Sequence, residues 1–296
     1  MKTLDELAAA VLSMPAATSP EISQASEALY RDLHRSLPPG EILRDMFYGT
    51  HSRHRLDLHL PAAHGTMRPL LLFVHGGGYT RGEKSKPGLF YYDNIGAWAA
   101  RHGLVGAIMT YRLAPEHVWP SGAQDVADAV AWLAREAERF GVDPRKVVVM
   151  GHSAGAAHAA GYVAAHGGQA ERERRLAGCI LISGTYDLVN GSANKLYFGE
   201  DASLYAERSS IDALARSEIP MLLGIAQADP AAIQKQFVLL LQAFLNRNKP
   251  LPELVYAEGH NHYTVAHHLG TEDTRVGDRI LRFILNRARH QETATS

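Results

Sequence analysis

Six short, nearly continuous apolar runs are the strongest constraint on what this chain can fold into. They are "PLLLFVHGGG" (69–78), "LVGAIMTYRL" (104–113), "KVVVMGHS" (146–153), "LAGCILISG" (176–184), "PMLLGIAQAD" (220–229) and "LPELVYAEGH" (251–260). A run without polar alternation reads as a strand covered on both faces, the situation of a parallel sheet. Helical patterns fall between most of them. In residues 121–141 the apolar positions Val126, Val130, Leu133, Ala137 and Phe140 recur at helical spacing, and Gly141 and Pro144 then stop the helix. Residues 231–248 and 275–290 read as two further amphipathic helices. Upstream, "ILRDMFYG" (42–49) and "HRLDLHLP" (54–61) alternate as strands of a half-exposed sheet edge do. Strand–helix alternation of this kind predicts an α/β fold with a doubly wound, mostly parallel sheet of about eight strands.

The chain has 296 residues, enough for one α/β domain with an appendage. Residues 1–45 are helix-prone, with breaks at Pro15 and at Pro38-Pro39-Gly40, and read as an accessory segment before a main domain over 46–296. A formal net charge of -1 gives no electrostatic footprint for nucleic acid or an anionic membrane surface. The lone Cys179 cannot form an internal disulfide and, inside an apolar run, reads as a buried, inert thiol. Asp5 and Glu6 interrupt the start of the chain, against the basic, then apolar pattern of a secretory peptide, so a cytoplasmic location is expected. No run approaches the ~20 apolar residues of a membrane span.

In open α/β sheets, ligands collect outside the carboxyl ends of the strands. The chemistry-bearing residues of this chain cluster there. Gly151-His152-Ser153-Ala154-Gly155 follows one run and precedes a small-residue helical stretch. This is the pattern of a nucleophile on a turn too tight for bulky neighbours, with helix amides aimed at the same space. The competing reading of Ser153 is a helix N-cap, which needs the hydroxyl but not the two glycines. His75-Gly76-Gly77-Gly78 ends another run. The amides of Gly77 and Gly78, with that of Ala154, are placed to hold an oxyanion. A flexible turn is the plain alternative, and a phosphate cradle lacks its Gly-Lys-Ser/Thr ending. His75 itself reads as a residue that shapes the loop.

The base must come from among 16 histidines, so position decides. His260 and His262 follow the last run, and the residues themselves leave both open. A metal pair is a remote alternative, because no third ligand stands nearby. His166, His267 and His290 read as solvated helix positions. The acid that orients the base is expected at Asp229, one strand before the histidine, with Asp187 as rival.

With these residues in view, the chain resembles the hormone-sensitive-lipase-type carboxylesterases of the α/β-hydrolase fold. "HGGG" at 75–78, "YRLAPEH" at 111–117 with Pro120 and Asp125, and "GHSAGA" at 151–156 carry the resemblance, which spans about 70–266. His152 stands where that family usually has Asp. This departure, with "HNHY" at 260–263, "GTYDL" at 184–188 and "LYFGEDASLYAERSSI" at 196–211, is also similar to the kynurenine formamidase-like and feruloyl-esterase-like branch. The resemblance implies a Ser153–Asp229–His262 triad. The family's Asp-Pro matches Asp229-Pro230, and the aromatic Tyr263 favours His262 over His260. It also implies an N-terminal helical cap over the site and a second wall around 190–208. Tyr79, His152 and Tyr263 are expected to line the substrate space. The implied activity is cleavage of a small-molecule ester through an acyl-enzyme, with no metal and no cofactor. An amidase of the arylformamidase type is the alternative, as is a non-catalytic binding protein on the same scaffold. Whether the chain forms a homo-oligomer is left open.

Overall fold

The computed structural model describes residues 2–34, 41–62, 67–164, 176–191 and 193–293. The apolar runs become the strands of one eight-stranded sheet: β1 (Glu41–Phe47), β2 (Arg55–Leu60), β3 (Arg68–Val74), β4 (Val105–Met109), β5 (Val142–His152), β6 (Gly178–Ile182), β7 (Met221–Ala228) and β8 (Glu253–Asn261). Their spatial order is β1-β2-β4-β3-β5-β6-β7-β8. β1 and β2 pair antiparallel, as do β2 and β4, and every ladder from β4 across to β8 is parallel. Of the strands that read as continuous apolar runs, β4 and β6 are wholly buried and β3, β5 and β7 are buried over most of their length. β8 departs from that reading: it alternates, and Tyr256 and Glu258 are exposed.

Two apolar cores follow from helices on both sides. Two single-turn helices, α6 (Lys195–Phe198) and α7 (Tyr205–Arg208), follow β6. On one face α4 (Ser121–Arg135), α5 (Ala154–Ala164), α8 (Ile211–Arg216) and α9 (Ala231–Asn246) cover Leu70, Leu72, Val147, Val149 and Leu181. On the other, α3 (Asp93–Arg101) and α11 (Arg275–Thr293) cover Leu71, Phe73, Val148, Met150 and Ile180. Odd and even residues of one strand enter different cores, the two-residue period of a strand made visible. Cys179 is buried in the first core, and burial pushes its thiol up to about 12, so it is inert at neutral pH. Among the described residues no helix is long and apolar enough to cross a membrane.

The half-exposed edge expected at 54–61 is corrected by the structure. The polar positions of β2, Asp57 and His59, are buried along with its leucines. They are tolerated because they are paired. Asp57 takes the Arg44 guanidinium at 2.7 Å and the Lys84 ammonium at 3.0 Å, and His59 faces Asp93 at 3.3 Å. An alternating pattern reports which residues share a face, not that the polar face is wet.

The N-terminal segment forms α1 (Leu4–Leu12), α2 (Pro20–Tyr30) and a single 3-10 turn (Arg31–His34). Thr3 closes α1 with a reciprocal capping box to Glu6, and Ser19 caps α2 with Pro20 at its first position. The Pro38-Pro39-Gly40 break lies outside the described residues. The sheet already begins at Glu41, inside the expected 1–45 segment. α1 lies along β8, and α2 rests on α10 (Thr264–His267), so the segment touches the chain on both sides of His262.

Candidate active site

The turn between β5 and α5 is set by what its glycines lack. Ser153 sits in the left-handed region at φ 56°, a conformation that costs a non-glycine residue energy. A Cβ on Gly151 would collide with the Gly155 carbonyl, and one on Gly155 would collide with those of Val74 and His75. The two glycines let the helix start directly against the end of β3. Ser153 N donates to Ile182 O at 2.9 Å, tying the strained turn to β6.

Three side chains from three strand ends then meet. His262 Nε2 stands 2.9 Å from Ser153 Oγ, and its Nδ1 stands 2.6 Å from Asp229 Oδ1. The other Asp229 oxygen accepts from Ser183 Oγ at 2.6 Å and from Ala226 N at 2.7 Å. Asp229 is fully buried, and burial alone would raise its pKa. The hydrogen bonds from His262, Ser183 and Ala226 outweigh that and hold it below the usual carboxylate range. It is therefore an anion positioned to stabilise charge on His262. Ser183, itself at φ 53°, was not singled out from the sequence. A serine at a strand end beside a glycine looks like any turn residue.

The rivals are placed elsewhere. His260 is buried, 3.2 Å from Thr264 Oγ1 and 3.4 Å from Asp273, whose carboxylate is also gripped by Arg275 at 2.7 Å. Asp187 caps its own turn through the amides of Val189 and Asn190. Among the described residues, no group of three or more His, Cys, Asp or Glu is arranged to hold a metal. His267 is not a solvated helix position. It is buried, stacked on Tyr91 at 4.9 Å, and its carbonyl accepts from His34. His166 and the side chain of His290 lie outside the described residues.

The glycine loop lies against Ser153, since a Cβ on Gly76 would stand 3.1 Å from the Ser153 Cβ. Its carbonyls are held from behind. Tyr111 Oη donates to His75 O at 2.9 Å, His75 Nδ1 lies 2.6 Å from Gly76 O, and Arg81 N donates to Gly77 O at 3.2 Å. Asn194 Nδ2 donates to Gly78 O at 3.1 Å. Gly77 and Gly78 take φ 139° and 61°, and open space surrounds a Cβ built on Gly78. Among the described residues, the amides of Gly77, Gly78 and Ala154 donate to no backbone acceptor. His75 is buried and neutral, its pKa lowered to about 3 by burial. Its expected loop-shaping contact is present.

The "YRLAPEH" stretch supports this loop. Asp125 accepts from Arg112 N at 2.7 Å and from Arg112 Nε at 2.8 Å, and faces His54 at 3.2 Å. Arg53 donates to Tyr111 O at 2.7 Å and to Gly82 O at 2.9 Å, tying the start of that stretch to the segment after the glycine loop. Neither Arg53 nor His54 carries a motif that would reveal this.

The three residues expected to line the substrate space are placed differently from one another. Tyr79 is buried, stacked on Tyr197 at 4.7 Å and edge-on to Phe198, in a cluster that includes Ala154. Tyr197 and Phe198 thus pack as a wall beside Ala154. Tyr263 is half-buried, edge-on to His262, with its hydroxyl donating to Ser19 O at 3.1 Å. His152 is buried, and its Nε2 faces the His262 carbonyl at 2.7 Å.

A doubly wound sheet with a strained serine elbow, a glycine loop at the neighbouring strand end and an acid and a base at the two strands beyond is the α/β-hydrolase fold. A family model described as BD-FAE matches residues 56–189. The isoprenylcysteine alpha-carbonyl methylesterase of Arabidopsis thaliana is 31% identical over 116 residues, 39% of this chain and 26% of that protein. The arylacetamide deacetylase of Mus musculus is 39% identical over 93 residues, 30% of this chain and 22% of that protein. The matches thus span about a quarter of the length of these curated relatives. In structure, an inhibited esterase B from Lactobacillus rhamnosis superposes with TM-score 0.75 over 93% of this chain and 96% of that one, at 18% identity. At that identity the likeness speaks for the fold.

Proposed function

We propose that the protein is a serine hydrolase that cleaves small carboxylic esters through an acyl-enzyme. The hydrogen-bonded line Ser153–His262–Asp229 carries this reading. His262 takes the proton from Ser153 Oγ as the oxygen attacks the ester carbonyl. The imidazolium that results is stabilised by Asp229. The tetrahedral oxyanion takes hydrogen bonds from the amides of Gly77, Gly78 and Ala154. His262 then gives its proton to the leaving alkoxide, and water repeats the sequence on the acyl group.

Two comparisons support an ester as substrate. The plant relative is named a methylesterase, and a carboxylesterase of Mycobacterium tuberculosis is 38% identical over 92 residues. The deacetylase relative is named for an arylacetamide, which keeps an amide within the chemistry the site can serve. The N-terminal helices, resting on the His262 loop, are proposed as the cap over the site.

A panel of aryl and alkyl esters beside N-formyl and N-acetyl anilides tests the reading. Ester turnover should dominate, and Ser153→Ala should remove about 10⁴-fold or more of it without unfolding the protein. Anilide turnover far above ester turnover would assign the amidase reading. Failure of a fluorophosphonate to label Ser153 would revive the binding-protein reading.

A further inference from the structure

His152 is the residue next to the nucleophile, yet it does not touch the Ser153 hydroxyl. Its Nε2 stands 2.7 Å from the backbone carbonyl of His262, and its ring lies 4.9 Å from the His262 ring. A carbonyl oxygen can only accept, so Nε2 carries the proton and donates. Nδ1 is then a bare acceptor, and among the described residues it has no hydrogen-bond partner. The whole ring is buried. A buried polar group kept with one nitrogen unsatisfied costs stability. The bond made by the other nitrogen must repay that cost in some way.

What it repays is register between two strands that do not touch. β5 carries the nucleophile and β8 the base, and β6 and β7 lie between them. Three ladder steps of ~4.8 Å separate the two backbones by roughly 14 Å. No ladder hydrogen bond spans that gap. The loop after β8 could shift against the elbow without breaking the sheet, and a displacement of about 1 Å between reacting groups can cost ~10²-fold in rate. His152 and Ser153 close the gap from one dipeptide. His152 holds the main chain of His262 while Ser153 Oγ meets its imidazole at 2.9 Å. The strained φ of 56° at Ser153 sends these neighbouring side chains to different ends of the same histidine.

We infer that His152 is a positioning residue for the base: its Nε2–H fixes the His262 main chain against the elbow and so sets the proton-transfer distance. It acts as a neutral donor, through His262, and touches no substrate. This rests on the proposed roles of Ser153 and His262, so Ser153→Ala is run in parallel. If that variant keeps its activity, the catalytic reading fails. If it is dead, the following comparison judges His152 by itself.

The test compares His152→Gln with His152→Asn. Both introduce an uncharged amide. The glutamine nitrogen reaches the place of Nε2, and the asparagine nitrogen only that of Nδ1. On an aryl ester, Gln should keep kcat within about 3-fold of wild type. Asn should lower kcat by about 10–100-fold, with KM changed by less than about 3-fold. Fluorophosphonate labelling of Ser153 should slow in the same ratio, and active-site titration corrects each rate for folded protein. A fall in KM and kcat together, or equal activity of the two variants at any level, would overturn the assignment. Should Asn fail to fold, His152→Met takes its place as the variant without a donor, with the same expected loss and the same overturning outcomes.

Discussion

At the scale of single residues, the site is held by groups that look unremarkable in the chain. Ser183 accepts no reactive role, yet its hydroxyl occupies one of the two Asp229 oxygens. Without it, that oxygen keeps only the Ala226 amide. Ser183→Ala should lower kcat by about 10-fold and stability by about 1–2 kcal/mol, read from ester kinetics and urea unfolding. An unchanged kcat would show that the amide alone orients the carboxylate. Gly155→Ala acts through sterics. The new methyl would drive into the carbonyl of Val74, so the elbow cannot close as it stands. This variant should lose activity and several °C of melting temperature together, unlike Ser153→Ala. The glycines were legible from the sequence because a pattern of missing side chains survives without coordinates. Ser183 was not, because its meaning lies in a carboxylate 46 residues away.

At the scale of elements, the loop after β8 depends on the N-terminal helices. Asn261 Oδ1 accepts from the amides of Tyr263 and Thr264, and its Nδ2 donates to the buried Ser26 of α2 at 2.9 Å. Thr264 returns the grip by accepting from Asn261 N at 2.9 Å. Gly259, at φ 77°, has no side chain where Ala8 of α1 packs. Asn261→Ala therefore removes an internal staple and a helix contact at once. It should cost about 2–4 kcal/mol and lower kcat, whereas Ser26→Ala should cost about 1 kcal/mol with a smaller kinetic effect. Chemical denaturation with ester kinetics on both variants checks this. If Ser26→Ala is the more damaging, the helix docks the loop more than the loop orders itself. The N-terminal segment was readable as helix-prone between its proline breaks. Which loop its helices press on was not, because residues 26 and 261 meet only in the folded chain.

For the molecule as a whole, the histidines decide behaviour in acid. His75, His152, His158, His267 and His268 are buried, and burial lowers each to about 3. Unfolded, each returns to its ordinary value near 6.5, so between those limits the unfolded chain binds more protons. Stability is then fully present above about pH 6.5 and is lost as pH falls through 6.5 toward 3. Each fully buried histidine contributes on the order of 2 kcal/mol of loss at pH 5, a large share of the ~5–15 kcal/mol typical of a domain when taken together. Urea midpoints should fall steeply between pH 7.5 and pH 5, with several protons taken up on unfolding. A flat profile over that range would mean that these histidines are not held neutral. Asp93, held down to about 2 mainly by His59 and Arg44 against its own desolvation, adds a further loss only below about pH 4.

What the sequence determined here is what short-range physics encodes. Burial on both faces writes itself as continuous apolar strands, helix spacing as a 3.6-residue period, and the tight elbow as glycines on either side of Ser153. Chain order put Asp229 and two candidate histidines, His260 and His262, after Ser153. The resemblance favoured His262 over His260 through Tyr263, and the tertiary structure sets His262, not His260, against Ser153 and Asp229. It also set the buried His152 against the His262 carbonyl, and it buried His267, which the sequence reading had left in solvent. Those decisions depend on contacts between segments tens to hundreds of residues apart. Local pattern carries no record of which distant backbone atom a side chain will meet.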